Sequence, residues 1–231
     1  TQVNAQGGQL YPSFNNADIG NYLQEGSDKE VNTVALQTDG KILIGGTLGI
    51  FNGKTNNRIA RLLTNGQLDT EFITGTGFDS VVLCIMPQPD SKLLVAGMFL
   101  NVNGGAANFI TRLNDDGSRD NTFNTGSGPN DIVKTVTLQS DGKILLGGKF
   151  TQYDGNSANH IVRINPNGSY DNTFNCTTAL SSVNTIAVQT DGFVLFGLNN
   201  DGNGLVSNYL LRVDATGSAD ATFNIGATGA N

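Results

Sequence analysis

Four arginine–aspartate pairs are the residues in this chain best suited to chemistry: Arg61 with Asp69, Arg112 with Asp120, Arg163 with Asp171, and Arg212 with Asp220. A guanidinium beside a carboxylate binds charged groups and polarises carbonyls. The spacing is eight every time, and a catalytic pair is needed once per protein, so four copies argue for a structural role. Each pair brackets a turn, Asn65-Gly66, Asp116-Gly117, Asn167-Gly168 or Thr216-Gly217. A three-residue loop with its glycine left-handed would set the two side chains across a hairpin, neutralising each arginine within its own unit. His160 is the only histidine, which leaves little material for imidazole metal sites or a Ser-His-Asp triad. It stands before "IVRI" and reads as a strand-edge residue. Cys84 and Cys176 fall at non-equivalent places, a strand and a connector. They read as unpaired, because a disulfide needs Cα atoms within about 7 Å. The "TGTG" and "TGSG" pieces lack the Lys-Ser/Thr of a phosphate loop and read as connectors. No catalytic residue is assigned, and the expectation is a protein that is not an enzyme.

Two features could bind something. "NNDGNG" presents Asn199, Asp201 and Asn203 in the alternating pattern of a calcium loop. It lacks the closing glutamate, since position twelve is Leu210, and a turn rich in Asn and Gly explains it equally. Calcium is the one cofactor considered, and weakly. The longer segments "LGIFNGKTNN", "FLNVNGGAAN", "FTQYDGNSAN" and "LNNDGNGLVSN" vary while their flanks do not. Their Phe51, Asn52, Asn101, Asn103, Tyr153, Asp154 and Asn156 are candidate ligand-binding residues, able to hydrogen-bond and stack against a glycan or a protein. The same composition also describes ordinary surface turns.

The elements that position these residues recur with a period of about 50, marked by Gln37, Gln88, Gln139 and Gln189. "VNTVALQ" and "KILIGG" are strand-length and joined by "TDG", which is hairpin chemistry. Ile42-Leu43-Ile44 is continuously apolar, as in a strand covered on both faces. A third strand begins at "IARLL" and is echoed by "ITRL", "IVRI" and "LLRV", then turns into a short fourth strand ending at Phe72, Phe123, Phe174 or Phe223. These phenylalanines read as plugs between units. Four antiparallel strands, buried on both faces and repeated, predict an all-β β-propeller of four complete blades plus an N-terminal partial repeat. One domain is expected over 1–231: partial repeat and insertion at 1–30, then repeats at 31–80, 81–131, 132–182 and 183–231.

The sequences "ALQTDGKILIGG", "TLQSDGKILLGG", "RLNDDGSRDNTFN" and "RINPNGSYDNTFN" resemble the delta-60 repeat, a propeller-forming repeat of bacterial secreted and surface proteins and of some phage proteins. The resemblance covers residues 31–231, with a kelch-like glycine doublet. It implies a scaffold in an extracellular setting and no catalytic activity. The second copy departs at Pro89-Asp90-Ser91, and the fourth loses the lysine and the second glycine.

The composition is consistent with this. Thirty glycines, no tryptophan and 14% charged residues suit many short strands. A net charge of −7 gives no basic footprint for nucleic acid. No apolar run approaches the roughly 20 residues of a bilayer span, so a soluble protein is expected; Thr1 in place of Met reads as processing or excision. "GGQLYPSFN" matches a fourth segment, with Leu10 and Phe14 in place and Tyr11 where Asp is expected. The segment 17–30 reads as a solvated connector, and "FNIGATGAN" resembles a connector leading into another unit. A small ring with a spare strand, an open arc sealed by another chain, or a piece of a longer array would each fit; exposed blade faces favour a ring or a partner-sealed assembly. The functional expectation is a secreted or surface adhesion scaffold that binds glycan or protein at a cell or virion surface. The alternative is a self-assembling subunit, such as a phage virion or filament component, joined through its terminal segments.

Overall fold

The computed structural model describes residues 26–177, 182–199 and 210–223, and the regular structure there is all β. The first unit runs β1 (Val31–Leu36), β2 (Ile42–Gly46), β3 (Ile50–Phe51), β4 (Lys54–Thr55) and β5 (Ile59–Leu62). The second has β6 (Val82–Pro87), β7 (Leu93–Gly97), β8 (Asn101–Val102), β9 (Gly105–Ala106) and β10 (Ile110–Leu113). The third has β11 (Val133–Leu138), β12 (Ile144–Gly148), β13 (Gln152–Tyr153), β14 (Asn156–Ser157) and β15 (Ile161–Ile164). The fourth has β16 (Val183–Val188), β17 (Val194–Leu198) and β18 (Leu210–Val213).

Each unit is an antiparallel sheet with its second strand central, as in the order β1-β2-β5. That strand is apolar because it is covered on both faces: every residue of β7 and β12 is buried. The fourth segment is shorter than its sequence suggests. It touches the sheet through one bridge per unit, at Leu62–Leu68, Leu113–Arg119, Ile164–Tyr170 and Val213–Ala219. The chain then leaves because Asp69, Asp120, Asp171 and Asp220 each accept the amide two residues on, from Glu71, Thr122, Thr173 and Thr222. These Asx turns curl the backbone off the sheet edge.

The segments between second and third strands, expected as loops, are small hairpins in the first three units. They turn at Asn52-Gly53, Asn103-Gly104 and Asp154-Gly155, with both φ values positive in each pair, the type I′ geometry that such dipeptides favour. The equivalent Asp201-Gly202 lies outside the described residues.

The core sits between units. Leu43, Ile59 and Phe72 of the first pack with Val82, Ile85 and Val95 of the second. Leu94, Ile110 and Phe123 then meet Val133, Val136 and Leu146, and Leu145, Ile161 and Phe174 meet Val183, Ile186 and Phe196. Phe72, Phe123 and Phe174 are therefore inter-unit plugs, as their recurrence suggested. The first strands, β1, β6, β11 and β16, run side by side from unit to unit.

Candidate functional site

The recurring arginine lies in the third strand, opposite a leucine of the central strand: Arg61 faces Leu43, and Arg112 faces Leu94. In the second unit its Nε donates to Asp120 at 2.7 Å, Nη2 donates to the Thr122 hydroxyl at 3.3 Å, and the guanidinium lies 4.8 Å over the Phe123 ring. Lys92 joins Asp120 at 2.9 Å. The remaining donor crosses to the next unit, where Nη1 meets the Pro166 carbonyl at 2.6 Å. The first and third units repeat this: Arg61 bonds Asp69 and the Asp115 carbonyl, and Arg163 bonds Asp171 and the Ala215 carbonyl. Lys41 and Lys143 complete the same clusters. In the fourth unit Phe193 replaces the lysine, and Arg212 lies between Phe193 and Phe223 at 4.7 and 4.6 Å.

The charges explain why these groups can be buried. Burial pushes the Asp120 carboxyl up, but the Thr122 hydroxyl, Lys92, the Thr122 amide and Arg112 outweigh it and hold it well below the usual carboxylate range. Asp171 and Asp69 are lowered against burial by the same kinds of partner. For Asp220 the Thr222 hydroxyl and amide and Arg212 bring the value down to about 2. A carboxylate bonded by two cations is a poor general base. The sequence signal identified the Arg–Asp pairing within a unit; the lysine recurs as regularly but far from the aspartate in sequence, and the neighbouring carbonyl carries no signal.

The candidate ligand-binding residues lie on or beside the hairpins, and most of them hold the hairpins in place. Phe51 and Tyr153 are buried, and Tyr153 donates its hydroxyl to the Gly168 carbonyl at 2.6 Å. Neither ring offers a face for stacking, because strand alternation turns both inward. The Asn52, Asn103 and Asp154 side chains accept the amides of Gly26, Gly77 and Ser127. Asn101 donates to Asp79, and Asn156 to the carbonyls of Tyr153 and Asp154. Asn103, Asp154 and Asn156 remain exposed at the rim. Sequence reasoning passed over three rim residues: Ile50, Met98 and Leu100 are 42%, 41% and 49% exposed.

Elsewhere, Cys84 is a free thiol that burial pushes up, away from thiolate chemistry, and Cys176 is buried. His160 accepts the strand-edge role, its Nδ1 3.1 Å from the Lys149 carbonyl. A cavity of about 40 Å³ lies between Asn159, Tyr170, Asn175 and Cys176, far below the roughly 300 Å³ at which small-molecule sites begin. Among the described residues no three His, Cys, Asp or Glu side chains converge. Asn199 is described; Asp201 and Asn203, the other candidate calcium ligands, lie outside the described residues, as do Leu10, Tyr11 and Phe14.

Three stretches, residues 37–72, 88–123 and 139–174, match the family described as a domain of unknown function (DUF5122) beta-propeller. The chain is built of β-propeller repeats. Each match opens at the glutamine before the first turn and closes at the phenylalanine stacked on arginine, so the matched unit contains the whole arginine cluster of one blade. No curated protein matches the sequence. Among solved structures, the blades are similar to a catalytically inactive virginiamycin B lyase from Staphylococcus aureus, with 18% identity over 85% of this chain and 58% of that one and a TM-score of 0.51. They are also similar to the WD40 beta propeller domain of Doa1, with 15% identity over 80% and 50% of the two chains and a TM-score of 0.52. The extracellular domain of the putative one component system BT4673 from B. thetaiotaomicron gives 11% identity, 89% and 26% coverage and a TM-score of 0.52. These likenesses establish the fold. The chain spans about half the length of the first two and a quarter of the third.

Proposed function

We propose that this propeller is a non-enzymatic scaffold, extracellular or held at a cell surface, that binds another protein through its hairpin rim. The observation that carries this reading is the division of labour within each blade. The ionisable residues that recur are consumed in pairing within each blade and in the arginine bond to the next, while the hairpins differ from blade to blade. Variable edges on a fixed repeat are how solenoids and propellers present binding surfaces. Exposed Ile50, Met98 and Leu100 on the first two blades favour a protein over a glycan, since the aromatic rings proposed for sugar stacking are turned into the core. The extracellular setting draws support from the delta-60 resemblance and from the fold shared with the extracellular domain of BT4673.

The test is binding of the purified protein to intact cell surfaces. Protease treatment of the surface should abolish binding, enzymatic deglycosylation should leave it, and the combined variant Ile50→Ser, Met98→Ser, Leu100→Ser should weaken it at least tenfold. Loss on deglycosylation with no effect of the variant would overturn the protein-binding reading in favour of a glycan. Turnover of sugar, ester or lactone substrates would overturn the non-enzymatic one.

A further inference from the structure

Arginine in this chain is mostly spent on holding the blades and the joints between them. Of the six, Arg61, Arg112, Arg163 and Arg212 bond their aspartates, and Arg58 donates to the Thr47 carbonyl at 2.8 Å. The sixth, Arg119, is half-buried, yet among the described residues it makes no hydrogen bond and no ion pair. It lies in the fourth segment of the second blade, bridged to Leu113, so its side chain leaves the sheet on the face shared by Leu113 and Thr111. Its Nη1 reaches as far as the hairpin, 3.0 Å from where a Cβ on Gly105 would stand.

The neighbouring blades show what this position does when it only packs. Leu68 and Tyr170 hold it in the first and third blades. Leu68 packs against Ile44, Ala60 and Leu62, and Tyr170 against Leu146, Val162 and Ile164. The second blade departs at three linked places. Arginine replaces the packing residue, Thr111 stands where the third strand otherwise has Ala60 or Val162, and Gly105 stands where the hairpin otherwise has Lys54 or Asn156. The glycine leaves the guanidinium its space. Thr111 is 2% exposed, and its hydroxyl also has no partner among the described residues. A half-buried cation without a counter-charge is costly, so covering apolar surface does not account for an arginine where leucine serves next door. The edge is concave here: in the third blade a cavity of about 40 Å³ borders Tyr170 and Val162, the counterparts of Arg119 and Thr111.

We infer that Arg119 and the Thr111 hydroxyl form a carboxylate-binding site on the outer edge of the second blade. A guanidinium offers two parallel N–H donors that match the two oxygens of a planar carboxylate, and one cation balances one negative charge. A phosphate dianion would leave a charge uncompensated on a chain whose net charge is already −7. The site uses none of the apolar rim residues Ile50, Met98 and Leu100, so it and the rim-binding reading stand or fall separately.

The test is an acetate titration of the isotope-labelled full chain at neutral pH, followed by NMR, with sodium chloride at equal ionic strength as the control. The Nε–H resonance of Arg119, assigned by its loss in Arg119→Leu, should shift saturably with acetate, with a Kd on the order of 10–100 mM for a single charge-assisted pair, and should not follow chloride. The Thr111 amide should shift with it, and should stay still in Arg119→Leu. Thr111→Val should weaken acetate binding at least threefold. Both variants import a residue that another blade already carries at that position, so both should fold, which circular dichroism checks. A response to chloride equal to that to acetate, no saturable shift, or undiminished acetate binding in Thr111→Val would each overturn the proposal. Binding to intact cell surfaces then separates the two sources of the carboxylate: a loss of at least tenfold in Arg119→Leu assigns it to a side chain of a partner protein, and unchanged binding assigns it to a free carboxylic acid.

Discussion

Asp120 illustrates what a buried charge requires. It is 4% exposed and is bonded by Arg112, Lys92, and the amide and hydroxyl of Thr122. Removing it leaves two cations facing the core, and breaking a buried pair in this way costs about 3 kcal/mol or more. Asp120→Ala should lower stability by that amount in urea unfolding. The pH dependence follows from the lowered carboxyls. A group whose folded pKa lies below its ordinary 3.8 contributes stability that is fully present above that value and lost as pH falls through the folded one. For Asp220 the loss runs from near 3.8 down to about 2, and for Asp120 and Asp171 it extends to lower pH. Melting temperatures should therefore fall steeply below pH 4, and Asp120→Asn should flatten that fall. The intra-blade half of this cluster was legible because Arg and Asp recur eight apart across a turn. The other half was not: a backbone carbonyl has no residue type, and Lys92 sits 28 positions before Asp120.

At the level of strands, the joint explains a pairing of residue types that the sequence displays without comment. Thr33 faces Gly45, Thr135 faces Gly147 and Thr185 faces Gly197, but in the second blade Cys84 faces Ala96. A Cβ at Gly147 would lie 2.9 Å from the Thr135 methyl. Val183 at 2.6 Å and Ile186 at 3.1 Å crowd the same place from the next blade; cysteine has no second branch on Cβ and removes the threonine contact, which accompanies alanine at that position in the second blade. Gly147→Ala alone should cost about 1–3 kcal/mol through overpacking, and adding Thr135→Cys should restore part of the loss in the urea midpoint. The strand placement of Cys84 was thus available from the repeat, while the reason for a cysteine there required the register. The hairpins were also legible, at Asn52-Gly53, Asn103-Gly104 and Asp154-Gly155. They read as loops because residues common in surface turns also make the tightest hairpins, and only two residues on each side pair. The buried Phe51 and Tyr153 follow from that pairing.

Across the whole molecule, stability should grade along the repeat, because each blade contacts only its neighbours. The third strands β5, β10 and β15 are fully buried, while β18 has three partly exposed residues out of four. Amide hydrogen exchange should show β18 least protected and β10 and β15 most. Uniform protection along the chain would contradict this grading. The period of about 50 made the blade legible, yet it carried no information on which faces are covered, since every blade is written to be covered on both.

The joints recognise peptide groups more than side chains. Arg61, Arg112 and Arg163 reach over to Asp115, Pro166 and Ala215, three residues with nothing in common except a carbonyl. Substitutions at that position leave the carbonyl bond in place, although in the first joint the Asp115 carboxylate adds bonds to Arg61 and Gln37, so a lineage can drift there at the cost of a side-chain contact at most. It can also gain or lose a whole repeat by recombination without re-matching the seams, which makes copy number the easiest property of such a protein to change.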